Sequence, residues 1–225
     1  MSGLTKDEIA ALVARDIPPG SYVNLGIGLP TQVADHLVDG SGVVLHTENG
    51  MLVMGPRPAE GEHDPDLTNA GKQPVTELPG ASYFDSAASF AMMRGGHLDV
   101  CVLGAFQVSA TGDLANWHTG AADAIPAVGG AMDLAIGARS VFVMMTLFAK
   151  DGSPKLVPEC TYPLTGVACV TRVYSDLAVF DLVGGEAIVR ETFGTTYDDL
   201  ERRLDVPLRD GTRAPDPPHP SKEIR

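Results

Sequence analysis

Positive charge and cysteine are both scarce in this chain, and each scarcity excludes a class of function. Sixteen lysines and arginines stand against 29 aspartates and glutamates, a formal net charge of −13 at pH 7. Nucleic acids and anionic membrane surfaces are recognised by basic footprints, so neither is an expected partner. The three cysteines, Cys101, Cys160 and Cys169, are odd in number, far apart and set among apolar neighbours. They suit neither a disulfide framework nor a metal site, and a reducing, cytoplasmic setting is expected. No apolar run approaches the roughly eighteen residues of a membrane span. Met1 to Glu8 is polar and carries no signal-peptide pattern. The six histidines are scattered, with no pair at metal-ligand spacing. What remains is ordinary globular chemistry: 225 residues, 44% apolar and 20% charged, long enough to bury a sizeable core.

The chain opens as a βαβ unit. Thr5 and Glu8 have capping-box spacing, and Ile9, Leu12 and Val13 give an amphipathic helix that stops before Pro18-Pro19-Gly20. Tyr22–Leu25 reads as a strand, Gly26-Ile27-Gly28-Leu29-Pro30 as a loop, and Val33, Ala34 and Leu37 as one face of a helix. The next strand, from Val43, ends at Glu48 before an Asn49-Gly50 turn. Residues 51–80 are rich in Pro, Gly and acidic residues and read as irregular, a length that in a compact domain is usually functional. Asp85 caps a helix ending at Gly95-Gly96, and Val100–Ala105 and Val141–Met145 are further buried strands. Three closely spaced runs, Ala168–Val173, Leu177–Val183 and Ala187–Thr192, predict an antiparallel extension of the sheet. A helix is expected over Tyr197 to Leu204, and the Pro-rich, charged tail from 208 to 225 reads as disordered. The expectation is one α/β domain over residues 1–207: an open, mostly parallel sheet in three layers, with helices on both faces.

Glu48 is the first candidate for chemistry. Apolar and β-branched residues run straight into it, which places the carboxylate at the carboxyl edge of the sheet, where ligands of open α/β folds bind. There it can act as nucleophile or base, although a structural acceptor fits the same pattern. Gly26 and Gly28 stand between a strand and a helix, where backbone N–H groups can cradle an anion. A tight βα turn explains them equally well, and Thr31 breaks the dinucleotide fingerprint. Gly129-Gly130 opens another helix, suited to an oxyanion or to close packing. His118 could serve as a base, but no Ser or Cys stands in a nucleophile elbow. His46 reads as a core histidine. Arg57, Lys72, Arg94, Lys150 and Lys155 are the scarce cations near the irregular segments.

Several of these runs together resemble one family. Tyr22–Thr31, Glu48-Asn49-Gly50, Asn69-Ala70-Gly71-Lys72-Gln73, Ser89–His97, Gly112–Trp117, Gly129–Leu134 and Lys155–Cys160 are similar to the B subunits of two-subunit 3-oxoacid CoA-transferases. The likeness covers about residues 5–207. Ala115–Gly120, Ile125–Gly130 and Glu159–Leu164 look most like the branch acting on 3-oxoadipate, the acetoacetate branch being the nearest rival. Two departures bear on substrate preference: Val53 stands where the family usually has glycine, and Met144–Phe148 lacks an acidic–His pair often found there.

The resemblance implies ping-pong transfer of CoA from succinyl-CoA to a 3-oxo acid through a Glu48–CoA thioester, as in the β-ketoadipate route of aromatic-compound catabolism. It implies catalytic roles for Glu48 and for Gly129 as oxyanion donor, with Gly130 beside it. The Gly26–Pro30 loop, including Gly28, would shape the carboxylate pocket, with Asn49, Gly50 and Lys72 also on the substrate. Among Lys72, Arg94 and His118 the sequence does not choose which meets a distal carboxylate. No permanently bound cofactor is implied, coenzyme A being substrate and covalent intermediate. The A subunit's CoA-binding G-x-G-G-F signature is absent from the chain, so a heterodimer or heterotetramer with an A subunit is implied. Two other classes stay open: a thioester hydrolase, in which Glu48 activates water, and a noncatalytic binding module on a related fold.

Overall fold

The computed structural model describes residues 3–121, 125–126 and 129–212. Its centre is a ten-stranded sheet. The five inner strands, β10 (Arg172–Ser175), β8 (Ser140–Met145), β5 (Val100–Gly104), β1 (Tyr22–Leu25) and β2 (Val44–Thr47), are all parallel. On one side β3 (Met51–Met54) and β4 (Glu77–Tyr83) continue the sheet antiparallel. On the other, β11 (Ala178–Val183) and β12 (Glu186–Thr192) do the same, and β13 (Leu208–Asp210) adds in parallel to β12. The strand order is β13-β12-β11-β10-β8-β5-β1-β2-β3-β4. A small second sheet joins β6 (Gln107–Ser109), β7 (Leu114–Ala115) and β9 (Leu156–Val157).

Strand alternation builds two cores on opposite faces. Along β5 and β8, Val100, Val102, Phe142 and Met144 point to one face, where Ile9 and Val13 of helix α1 (Lys6–Asp16) and Val33 cover them. Cys101, Leu103, Val141, Val143 and Met145 point to the other. There they meet Met93 of α2 (Ser86–Arg94), Leu134 of α3 (Ala131–Gly137), Leu200 of α4 (Tyr197–Arg203) and the second sheet. The expected layering is thus observed. So are the predicted caps: Thr5 accepts from Glu8 N at 3.3 Å while Glu8 accepts from Thr5 N at 2.7 Å, and Asp85 accepts from Ala88 N at 2.8 Å.

Four segments differ from the sequence reading. Leu29–His36 winds as a 3₁₀ helix with Pro30 in its first turn and no side-chain cap, held by the burial of Val33 rather than by propensity. Residues 51–80 are not wholly irregular, because they contain β3 and begin β4. β4 is an exposed edge strand interrupted by Pro79 and Gly80, so it leaves no periodicity to read. The run expected over Ala168–Val173 starts its strand only at Arg172, because Ala168 takes a left-handed φ of 47°. This strand pairs parallel to β8, so the antiparallel extension begins one strand later. Nor is the tail irregular from 208: Leu208–Asp210 forms β13, with Leu208 packed on the core and Gly211 N bonded to Val189 O at 2.9 Å. Residues 213–225 lie outside the described residues.

Val53 also has a positive φ, 62°, at a register shift between β3 and β4. A β-branched side chain is an outlier there. The departure noted in the sequence falls on a backbone conformation that glycine adopts freely.

The outer strands are pinned by a buried ion cluster. Arg172 grips Asp181 with Nε (2.5 Å) and Nη2 (3.2 Å) and reaches Asp16 Oδ2 of α1 at 3.2 Å. Arg190 adds a 2.7 Å contact to Asp181, and Tyr174 donates to Asp16 at 3.1 Å. Burial holds the Tyr174 phenol well above its ordinary pKa, so it stays a donor. Removing one partner strands a buried charge. Asp181→Ala is expected to lower the unfolding free energy by about 3–5 kcal/mol in urea titrations. A loss below about 1 kcal/mol, the scale of an exposed pair, would show that the cluster contributes no more than a surface salt bridge.

Candidate active site

Chain order reverses between β1 and β5: from β1 the chain moves outward to β2, whereas β5 and β8 lie on the other side. Such a switch point opens a crevice at the carboxyl ends of the strands. A cavity of about 520 Å³ lies there, lined by Gly26 after β1, Glu48 after β2, Gly104 of β5 and Thr146 after β8. Lys6, Asn116, Gly129, Gly130 and Lys155 add further polar groups to its wall.

Glu48 sits in the β2–β3 hairpin turn. Gly50 closes that turn with φ 112° and an N–H donated to Thr47 O at 3.1 Å, and a Cβ there would overlap Phe84 O. The Glu48 carboxyl is half-buried, and burial pushes its pKa above the ordinary 4.5. The Gly130 N–H, donated to the carboxylate, opposes this shift, and the charge of Asp133 adds to it. The approach is close: a Cβ built on Gly130 would overlap Glu48 Oε2 and lie 3.6 Å from Phe90 Cζ. A carboxylate that is desolvated yet held by one backbone donor is poised for nucleophilic or general-base chemistry.

The other sequence-derived candidates divide. Gly26 and Gly129 line the Glu48 cavity, Gly129 with open space around its α-carbon. The donor that reaches the carboxylate is Gly130, the residue read from sequence only as the neighbour. Gly28, with φ 91°, faces a separate cavity of about 370 Å³ beside Gln32, Arg57, Asn69 and Gln73. Asn49 points away from the cavity and donates from Nδ2 to Thr68 O at 2.8 Å. Lys72 is exposed in a left-handed turn (φ 60°) and lines neither cavity. His118 accepts from Gly120 N at 2.8 Å beside the Trp117 ring and is likewise absent from the lining. Arg94 pairs with Asp133 at 2.5 Å. Cys101 is buried, with its thiol directed at Leu134 O, 3.5 Å away. Among the described residues no acidic, His or Cys cluster could hold a metal.

Two lining residues carried no site assignment from sequence. Lys155 is half-buried, and burial lowers its pKa against the pull of Asp176. Its scarcity value as a cation was the available signal. Asn116 donates to Gly104 O at 3.0 Å and accepts from Thr165 Oγ1 at 2.6 Å, bracing the end of β5. Only the tertiary placement of its neighbours reveals this.

The coenzyme A transferase family model matches residues 6–196, and the chain belongs to that family. It is 57% identical over 211 residues to the B subunit of the 3-oxoadipate CoA-transferase from Acinetobacter baylyi, covering 93% of this chain and 97% of that one. The B subunit of the same description from Pseudomonas putida is 61% identical over 206 residues, covering 91% and 96%. An acyl-CoA transferase structure from Escherichia coli O157:H7 superposes with a TM-score of 0.70 at 18% identity, which speaks for the fold alone. It covers 96% of this chain, which spans 45% of that longer polypeptide.

Because a methyl group on residue 130 must displace the Glu48 carboxylate, Gly130→Ala should lower kcat for CoA transfer by about 100-fold or more. The melting temperature should barely move. Wild-type kcat in this variant would show that the close approach is not needed.

Proposed function

We propose that this chain is the nucleophile-bearing B subunit of a 3-oxoadipate CoA-transferase that takes CoA from succinyl-CoA. The observation that carries the reading is the half-buried Glu48 carboxylate against the Gly130 N–H, in a cavity at the sheet's switch point. The acceptor is assigned from the two relatives described as B subunits of 3-oxoadipate CoA-transferases, at 57% and 61% identity.

A Glu48 oxygen attacks the thioester carbonyl of succinyl-CoA. The C–S bond breaks, leaving a glutamyl–succinyl anhydride and CoA thiolate. The thiolate attacks the Glu48 carbonyl carbon, and the C–O bond to succinate breaks, leaving a Glu48–CoA thioester. The carboxylate of 3-oxoadipate then displaces the thiolate, which attacks the new anhydride on its 3-oxoadipyl carbonyl. This step releases 3-oxoadipyl-CoA and regenerates Glu48. A carboxylate suits this cycle because it attacks and leaves with similar ease, and each intermediate keeps the energy of the thioester. Water has to be excluded, since an anhydride hydrolyses. Gly129 and Gly130 are the oxyanion donors in this reading, and Gly26 and Gly28 shape the loop along the acyl group.

The description of the relatives as B subunits supports an A subunit as partner, in a heterodimer or heterotetramer. With a net charge of −13, this chain leaves most of the positive charge for the CoA phosphates to that partner. The cysteines remain as thiols, two of them buried, which supports a cytoplasmic setting. A reaction on these substrates would serve aromatic-compound catabolism.

Incubated with its A subunit and succinyl-CoA, the chain should carry a CoA-sized adduct in denaturing intact-mass spectra. The adduct should be absent from Glu48→Ala and discharged by 3-oxoadipate; steady CoA release with no adduct would instead mark Glu48 as the base of a hydrolase. The chain alone should be almost inactive.

The pH profile follows from the raised Glu48 pKa. The nucleophile is the deprotonated form, so kcat should fall with decreasing pH through a midpoint above 4.5. Asp133→Asn should move that midpoint down, since the Asp133 charge raises it. An unmoved midpoint would assign the acid limb to another group.

A further inference from the structure

We propose that Asn24, His46 and Ser89 are positioning residues for Glu48, forming a buried hydrogen-bond relay that clamps the peptide immediately before it. The inference rests on the reading of Glu48 as nucleophile. Three elements contribute. Asn24 on β1 and His46 on β2 are direct neighbours in the parallel register, and Ser89 lies on α2 above them. All three are buried.

Donor and acceptor counting fixes the direction of the relay. The Asn24 amide nitrogen lies 3.0 Å from His46 Nδ1 and 3.2 Å from His46 O, so it donates one proton to each. His46 Nδ1 is therefore the acceptor, and the neutral ring carries its proton on Nε2. Burial, which lowers the His46 pKa to about 4, keeps the ring neutral at physiological pH. Nε2–H then donates to Ser89 Oγ at 3.2 Å, and the serine hydroxyl donates to Thr47 O at 3.4 Å. That carbonyl belongs to the Thr47–Glu48 peptide. It also accepts from Gly50 N at 3.1 Å, so the hairpin holds it from one side and α2 from the other.

The same helix reaches the backbone donor of the site. Phe90, next to Ser89, has its Cζ 3.6 Å from where a Cβ on residue 130 would stand, and Arg94 is paired with Asp133 on α3 at 2.5 Å. One helix thus carries the clamp on the peptide before Glu48 and an ion pair to the helix that Gly130 opens. A satisfied core histidine would account for the burial of His46. It would not account for three polar side chains arranged in series towards one carbonyl, where apolar residues of similar shape pack at no loss of stability. Fully satisfied buried networks define a single geometry, and a displacement of about 1 Å at a reacting group costs on the order of 100-fold in rate.

The test uses the chain assembled with its A subunit and follows formation of the Glu48–CoA thioester at saturating succinyl-CoA, with KM and melting temperature. Ser89→Ala and His46→Leu should each slow adduct formation about tenfold or more, with KM within about twofold of wild type. His46→Gln, which again offers an acceptor and a donor, should restore most of the rate. If His46→Leu is too unstable to assay, Ser89→Ala alone carries the test, since it removes only one oxygen. Adduct formation at the wild-type rate in Ser89→Ala would overturn the relay and leave Glu48 as nucleophile. Absence of any adduct on the wild-type enzyme would overturn the nucleophile assignment, and the relay's catalytic role with it.

Discussion

A carboxylate pressed against a glycine α-carbon is the constraint on which the rest of this architecture turns. Glu48 is drawn far enough from water for its pKa to rise, yet it keeps one backbone donor, the Gly130 N–H. A side chain at 130 could be admitted only by moving the Glu48 carboxylate aside, so the present geometry requires the start of α3 to be placed accurately against the turn after β2. The placement is in turn enforced by α2. A Cβ at Gly137 would overlap the Met93 carbonyl, so the two helices touch backbone to backbone at their far ends. Leu134 and Met93 are both fully packed in the core between the helices and the sheet.

The sheet supplies the second half of the geometry. Parallel pairing of β2, β1, β5 and β8 aligns four carboxyl ends in a row, and the reversal of chain order between β1 and β5 opens the space between them. The antiparallel flanks play a different part, because their side chains do not reach the cavity. On the far flank the Asp16–Arg172–Asp181–Arg190 cluster concentrates charge in the interior, well separated in the strand order from the carboxylate in the turn after β2. Desolvation penalises charge in both places, with different outcomes. It is compensated by paired guanidinium groups in one, and left partly uncompensated at Glu48 in the other.

Much of this was legible in the sequence because it depends on local rules. The capping box at Thr5, the cap at Asp85, the apolar strands at 100–104 and 140–145, and the run into Glu48 all report their structure within a few residues. What escaped was decided at a distance. β4 buries almost nothing and so has no pattern, and β13 exists only because β12 presents an open edge to it. The 3₁₀ form of Leu29–His36 is held by tertiary burial, which periodicity does not encode. Within the site, Glu48 was signalled by its position at the end of a strand. Which of Gly129 and Gly130 lies against the Glu48 carboxylate was not, because two adjacent glycines carry no local signal of where the fold aims their N–H groups. Lys72 illustrates the converse: a motif placed it near the substrate, but in this chain alone it stands exposed outside the cavity.

The left-handed Val53 adds a temporal dimension. Holding a β-branched residue at φ 62° costs about 1–3 kcal/mol, and the cost falls on the hairpin whose turn presents Glu48. β3 is four residues long and its outer neighbour β4 is exposed along nearly its whole length, so the hairpin is anchored in the core chiefly through Met51 and Met54. The inner parallel strands, by contrast, are buried along nearly their whole length. On heating, this hairpin is the part of the sheet expected to open first. The geometry around Glu48 and the integrity of the fold are then separate quantities, and the strained hairpin at Val53 bears on the first of them.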